Sequence, residues 1–271
     1  MMRVAAWAYP IERLASWDAW VAKLDAALAA AAADGAELVV VPEYASMELG
    51  SLLARESLAA MQPFLAAYRA TYASLAAAHS LAVVAGSFPE ADGSRFINRA
   101  RVFFAGSEHV VEKQRMTRFE AEHWGVSPGS AAPIIDLGEF KLAVALCYDA
   151  EFPVLVRSLV RAGATLIAVP SCTDALAGYH RVRISCAARA LENQCYVIQA
   201  PTVGLAPWSD SLDANRGAAG IFAPPDRGFP PDGILSLGAL DAPGLLFADL
   251  DPSAISQVRL DGQVLNHRDW P

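Results

Sequence analysis

The sequence predicts an α/β sandwich in which two mixed sheets are covered by helices. Short, wholly apolar runs alternate with longer alanine-rich stretches, the pattern of βαβ units. Elsewhere two apolar runs follow one another with only a turn between them, the pattern of paired neighbouring strands. No change of composition marks a linker, so residues 1–271 are expected to form a single domain, a length at which one chain buries a sizeable core.

Taken in order, strands are expected at Val4–Ala8, Glu37–Val41, Ala82–Ser87 and Asn98–Phe104, with Val110–Glu112 returning after the turn Ala105-Gly-Ser-Glu108. Further strands follow at Lys141–Leu146, Thr165–Val169, Tyr196–Ala200 and Leu245–Asp249, with a pair near Ala218–Phe222 and Gly233–Leu237. Helices fit Trp17–Ala33, Pro63–His79, Val154–Ala162 and Tyr179–Asn193. Residues 207–231 are rich in Pro, Gly and Asp and read as loops around one hairpin.

Bulk properties remove several function classes. Net charge is −8 and the isoelectric point about 5.1, whereas phosphate binding wants a basic face, so nucleic acid is not an expected partner. Hydrophobic content is 54%, but it comes largely from alanine, and no uninterrupted apolar run approaches the roughly 20 residues of a spanning helix. The N-terminus Met1-Met-Arg-Val-Ala-Ala-Trp7 enters a strand directly and lacks a signal-peptide plan, so a cytoplasmic protein without disulfides is expected. The four cysteines form no Cys-x-x-Cys pair and have no histidines at zinc spacing, and no glycine-rich phosphate loop occurs; neither metal nor cofactor is expected.

Cys147 is the most informative residue. It lies in Lys141-Leu-Ala-Val-Ala-Leu-Cys-Tyr-Asp-Ala-Glu-Phe-Pro153, where a buried strand ends and Pro153 opens an amphipathic helix. A cysteine there faces the positive end of a helix dipole, which favours thiolate. Glu43 follows the short apolar strand ending Val39-Val-Val-Pro42, and Lys113 follows Val110-Val-Glu112. Three chemically active groups, each just past its own strand, converge where α/β folds collect ligands. Taken singly, Cys147 also reads as an ordinary core cysteine, and Glu43 and Lys113 as solvated charges.

Together, Val39-Val-Val-Pro-Glu43, Val111-Glu-Lys113, Leu146-Cys-Tyr-Asp149 and Ala188-Arg-Ala-Leu-Glu-Asn-Gln194 resemble the nitrilase superfamily of carbon–nitrogen hydrolases, in that family's order and over essentially the whole chain. The resemblance implies a four-layer α-β-β-α sandwich and a Glu–Lys–Cys triad at Glu43, Lys113 and Cys147. It also implies a homodimer or larger even assembly joined across helices Val154–Ala162 and Tyr179–Asn193. A second glutamate before Pro128-Gly129 is implied to orient the lysine. Counting back from Pro128 favours Glu122, with Glu120 the alternative.

Amide hydrolysis needs a nucleophile, a proton shuttle and an oxyanion donor, roles that suit Cys147, Glu43 and Lys113, with the backbone N–H of Tyr148 as a second donor. Trp124 and Phe119 either wall the pocket or anchor a loop. Cys172, Thr173 and Asp174 follow another strand and are candidates for substrate contact, as are Tyr179, His180 and Arg183. Cys186 and Cys195 read as packing residues.

Tyr148-Asp149 resembles amidase-like branches, whereas branches that hydrolyse nitriles more often carry Trp-Glu. Glu151 is a departure, since amidase-like relatives often carry arginine there, a cation suited to carboxylate-bearing substrates. The expected activity is hydrolysis of a small linear amide or N-carbamoyl compound through a Cys147 thioester. The alternatives are a nitrilase or an amine-accepting acyl transferase using the same triad, or a catalytically silent assembly protein.

Overall fold

A computed structural model describes residues 1–270 of the chain. Its first half contains β1 (Met2–Pro10), α1 (Trp17–Ala33), β2 (Leu38–Val41), α2 (Leu58–Met61), α3 (Leu65–Ala78), β3 (Ala82–Asp92), β4 (Arg95–Phe104), β5 (Ser107–Glu112) and α4 (Arg118–Glu122). The second half continues with β6 (Ile135–Asp136), β7 (Lys141–Val144), α5 (Pro153–Arg161), β8 (Leu166–Ser171), α6 (Leu176–Asn193) and β9 (Tyr196–Leu205). It closes with β10 (Ala214–Asn215), β11 (Gly220–Phe222), β12 (Ile234–Leu237), β13 (Gly244–Leu250), α7 (Pro252–Asp261) and α8 (Asn266–Asp269).

The strands form two mixed sheets. One runs β13-β1-β2-β3-β4-β5, with β1, β2 and β3 parallel and the flanking pairs antiparallel. The other runs β6-β7-β8-β9-β11-β12, with β7, β8 and β9 parallel. They meet at one corner, where Tyr9 and Pro10 pair with Thr202 and Val203. Alternation along the strands then assigns every layer. Val4, Ala6, Leu38, Val40, Val84 and Val102 of the first sheet pack against Leu142, Val144, Leu166, Ile198 and Ala200 of the second. The opposite face of the first sheet takes Trp20, Leu24 and Leu28 of α1 and Tyr68 and Tyr72 of α3. The opposite face of the second takes Val156 and Val160 of α5 and Val182 and Cys186 of α6. The order of layers is therefore helix, sheet, sheet, helix, as the resemblance implies.

Local causes are visible. Ser16 caps α1 by accepting the Ala19 N–H at 3.1 Å. Trp20, Leu24, Leu28 and Ala31 form that helix's buried stripe, each large side chain contributing about 1.5–3 kcal/mol. The helix expected over Pro63–His79 starts later, because Pro63 sits in a 3₁₀ turn (Gln62–Phe64) that separates α2 from α3. Strand β9 runs five residues beyond the expected Ala200, and α4, α7 and α8 were not anticipated. The tail folds back on its own chain: the Gln194 side chain accepts the His267 N–H at 3.1 Å and donates to Val264 O at 3.0 Å. Among the described residues no helix is long and apolar enough to cross a membrane, and no cluster of ligating side chains could hold a metal ion.

Candidate active site

Beyond the C-terminal ends of the parallel strands β2, β7 and β8 lie Glu43, Cys147 and Cys172, which line one cavity. After β7, Ala145 still bonds to Ala168 O at 2.9 Å, and the chain then turns sharply at Cys147, whose φ is 47°. A non-glycine residue in the left-handed region is uncommon and is held by its surroundings. Here a 3₁₀ turn (Cys147–Glu151) follows directly, and it places α5 six residues beyond the sulfur. The Asp149 carboxylate in that turn accepts the Gln114 N–H at 3.1 Å and the Arg115 N–H at 2.7 Å. The cysteine turn is thereby tied to the segment just past Lys113. Cys147 is buried, and its Sγ lies 3.7 Å from Cys172 O.

Glu43 leaves β2 through Pro42. Gly86 permits the close approach this requires: its φ is +66°, and a Cβ there would meet Pro42 O at 2.2 Å. It lies at the register shift in β3 between Val84 and Ser87. Ser87 then accepts the Tyr44 N–H at 3.1 Å, which fixes the loop that carries Glu43.

Lys113 ends β5. Its Nζ donates to Glu43 Oε1 at 2.8 Å and to both Glu120 oxygens at 2.7 Å. The carboxylate expected at Glu122 is therefore supplied by Glu120. Glu122 is solvent-exposed and pairs along its own helix with Arg118 at 2.8 Å. The reason lies in the start of α4. Thr117 and Glu120 form a capping box, with Glu120 Oε2 accepting the Thr117 N–H at 2.9 Å, and this turns Glu120 inward. Two residues later on a helix the side chain points away. Tyr44 adds a hydroxyl donor to Glu120 Oε1 at 2.6 Å.

The electrostatics depart from the thiolate expected of a helix dipole. Burial, then the Glu43 charge, push the Cys147 thiol well above its usual value, outweighing the nearby Lys113 cation. With α5 displaced by the 3₁₀ turn, its dipole does not reverse this. Burial likewise raises Glu43 to about 7, against the pull of Lys113 and with a further rise from Glu120. Burial works against ionisation of both Lys113 and Glu120. Charge attraction wins, Glu43 and then Glu120 holding the lysine well above its usual range and Lys113 holding the Glu120 carboxyl below its own. The resting cluster is an ammonium between two carboxyl groups, one of them poised near neutrality beside a thiol.

Glu43, Lys113, Glu120 and Cys147 line the buried end of a cavity of about 600 Å³. Tyr44, Phe119 and Trp124 line it as an aromatic group, with Trp124 edge-on to both rings at 5.0 Å. Tyr148, Glu151, Cys172, Thr173 and Asp174 also face it. Exposed Asp210 and Asp213 lie toward its open end with Arg118 and Arg181. Tyr179, His180 and Arg183 do not line the cavity, and Glu122 is likewise absent from its walls.

A model of the carbon–nitrogen hydrolase family matches residues 3–259. The chain belongs to that family. Among relatives, the probable hydrolase YhcX of Bacillus subtilis is 30% identical across 99% of this chain, which spans only 53% of that protein's length. A deaminated glutathione amidase of Synechocystis is 27% identical across 86% of both chains. Solved structures agree on the fold. A variant of the amidase from Nesterenkonia sp. AN1, bearing a Michael adduct of acrylamide at its active-site cysteine, superposes with a TM-score of 0.71 over all of both chains at 24% identity. Saccharomyces cerevisiae Nit3, of branch 10 of the nitrilase superfamily, gives 0.72 at 21% identity, covering 96% of this chain and 93% of its own.

The hydrolase brings to its cavity, and to the buried cluster behind it, several residues that sequence reading passed over. Tyr44 stood beside a singled-out glutamate with no signal of its own. Asn98 marked only the start of a strand. Residues 210–214 lay in the segment read as loops. For Glu120 a signal did exist, the Thr117-x-x-Glu120 spacing of a capping box.

Proposed function

We propose that this carbon–nitrogen hydrolase is a thiol amidase, acting on a small linear amide or N-carbamoyl compound through a thioester on Cys147. The observation that carries the reading is the Lys113 ammonium held between Glu43 and Glu120 beside a buried thiol at the end of a cavity. As Cys147 Sγ attacks the carbonyl carbon, Glu43 takes the thiol proton. Burial suits it to this, because a carboxyl near 7 both accepts and returns a proton at neutral pH. The developing oxyanion meets the fixed charge of Lys113 and the backbone N–H of Tyr148. Glu43 then protonates the leaving nitrogen, ammonia or an amine departs, and a thioester remains. Water deprotonated by Glu43 attacks that thioester and releases the carboxylic acid and the thiol. The adduct at the active-site cysteine of the Nesterenkonia amidase supports the choice of nucleophile.

The mouth of the cavity supports a restriction on substrate. Glu151, Asp174, Asp210 and Asp213 face it, while Arg118 and Arg181 each already sit against a carboxylate, Glu122 at 2.8 Å and Glu151 at 3.5 Å. An acyl group that is neutral or carries an amine suits such a mouth better than a carboxylate-rich one like deaminated glutathione. The same reading includes a homodimer joined across α5 and α6, whose Val154 and Ile184 are 78% and 63% exposed, and a cytoplasmic setting. Light scattering tests the dimer: a monomer at micromolar concentration contradicts it.

The deciding experiment is ammonia release from a panel of aliphatic and aromatic amides, ω-amides, carbamoyl amino acids and nitriles, for wild type beside Cys147→Ala. Release from an amide or carbamoyl compound that vanishes in the variant is the expected result. Release from nitriles alone contradicts the amidase reading, and undiminished release by the variant contradicts the nucleophile.

A further inference from the structure

The geometry points to Asn98 as a positioning residue that fixes Oε1 of Glu43, so that the second carboxylate oxygen serves the Cys147 thiol. This rests on Glu43 being the base proposed above. Asn98 lies on β4 and is fully buried. Its Nδ2 donates to Glu43 Oε1 at 2.9 Å and makes a longer contact with Glu120 Oε1 at 3.4 Å. Lys113 Nζ donates to the same Glu43 oxygen at 2.8 Å. A carboxylate oxygen has two acceptor sites. With both of Oε1's sites engaged, a proton arriving from sulfur goes to Oε2.

Three features set Asn98 apart from a packing residue. Its amide orientation follows from its neighbours, because turning the group over would aim a carbonyl oxygen at two carboxylates. Its carbonyl has no hydrogen-bond partner among the described residues, so the side-chain hydrogen bonds it makes are those to the acidic cluster. Its backbone carbonyl also accepts the Lys113 N–H at 2.9 Å. One residue therefore registers the lysine through its main chain and the base through its side chain. The charged and titratable groups around Glu43 are Lys113, Glu120 and Cys147, with Tyr44 and Cys172 as buried neighbours. Among these side chains only Lys113 and Asn98 donate to Oε1.

The test needs no substrate. The rate of Cys147 alkylation by iodoacetamide is followed from pH 5 to 9, with peptide mass spectrometry separating Cys147 from the other three cysteines. It is run on wild type, Asn98→Leu, Asn98→Ser and Glu43→Gln, each checked for a native circular dichroism spectrum and thermal midpoint. In wild type the rate should rise as Glu43 ionises and accepts the thiol proton. Removing a donor to the ionised carboxylate should shift that rise upward by about half a pH unit or more, slowing the reaction at pH 7 by about twofold or more. Asn98→Ser is smaller than the native side chain and overpacks nothing, so it carries the test if the leucine variant fails to fold. A purely structural asparagine would lower the thermal midpoint and leave the pH midpoint where it is; that result in the folded variants overturns the assignment. A rise with the wild-type midpoint in Glu43→Gln overturns the Glu43 base reading and this assignment with it. A midpoint that is lost or displaced there, yet is unmoved in both Asn98 variants, overturns Asn98 alone.

Discussion

Two buried clusters in this hydrolase use the same three residue types and end in different places. At one, Glu48 is fully buried, accepts hydrogen bonds from the Tyr9 hydroxyl and from the Glu12 N–H at 2.6 Å, and takes Lys23 Nζ at 2.6 Å. At the other, Glu120 takes the Tyr44 hydroxyl, the Thr117 N–H and Lys113. The first cluster lies outside the active-site cavity and holds one buried carboxylate against its lysine, with the second carboxylate on Lys23 coming from Glu12, which is mostly exposed. It fastens the 3₁₀ segment Ala45–Leu52 to β1 and α1. The second cluster has two buried carboxylates for one lysine, a thiol beside them and an opening to solvent. A buried ion pair is therefore not the mark of function here. The mark is the surplus carboxylate, Glu43, held near neutrality next to a nucleophile.

The comparison is broken most severely at the sulfur. Cys147→Ala should lower kcat for amide turnover by at least about 10⁴-fold, measured as ammonia release, since a nucleophile has no substitute in the site. Glu43→Gln should cost nearly as much. Next, Glu120→Gln should lower kcat by about 10²-fold, because Lys113 loses the carboxylate that holds it. Glu122→Gln, two residues away and exposed, should stay within about twofold. Equal effects at these two positions would remove Glu120 from the cluster's function.

The structural cluster should respond in the opposite sense. Glu48→Gln should destabilise the fold by about 2 kcal/mol in urea titration, through loss of a charge-assisted partner for Lys23 and Tyr9. It should leave kcat per folded molecule unchanged. A catalytic defect without a stability loss would dissolve the distinction between the two clusters. The dependence on pH probes the surplus carboxylate without a substitution. The proposed base, Glu43, can take a proton only when ionised, and its carboxyl is raised to about 7. kcat/KM should therefore rise through that region as pH increases, and fall about tenfold per unit below it. A limb near the ordinary carboxylate range would show that burial does not set the base.

Much of this was legible in the sequence because strand ends announce themselves. Val39-Val-Val-Pro42 and Leu142 to Leu146 are apolar runs that stop at reactive residues, and the periodicity of Trp20, Leu24 and Leu28 reads directly as a helix. Counting back from Pro128 favours Glu122 over its alternative Glu120 because spacing says nothing about which way a helical side chain points. The capping box at Thr117 carried that information. Helix α7 had a comparable signal in Asp251-Pro252, an N-cap followed by proline at the first helical position. The protonated thiol was not legible at all. Helix dipoles are read from local sequence, whereas burial depends on layers contributed by residues far apart in the chain. Asn98 and Tyr44 are of the same kind, since their partners lie 55 and 76 residues away.

The central claim is that Cys147 carries the acyl group between two half-reactions. It is tested most directly by acid-quenching wild type during turnover of its best amide, then mapping the acyl mass by peptide mass spectrometry. An adduct on the Cys147 peptide that is absent in Cys147→Ala, with Cys172, Cys186 and Cys195 unmodified, is the predicted result. A stoichiometric burst of ammonia with no acyl mass on Cys147, or with that mass on another residue, would contradict the account.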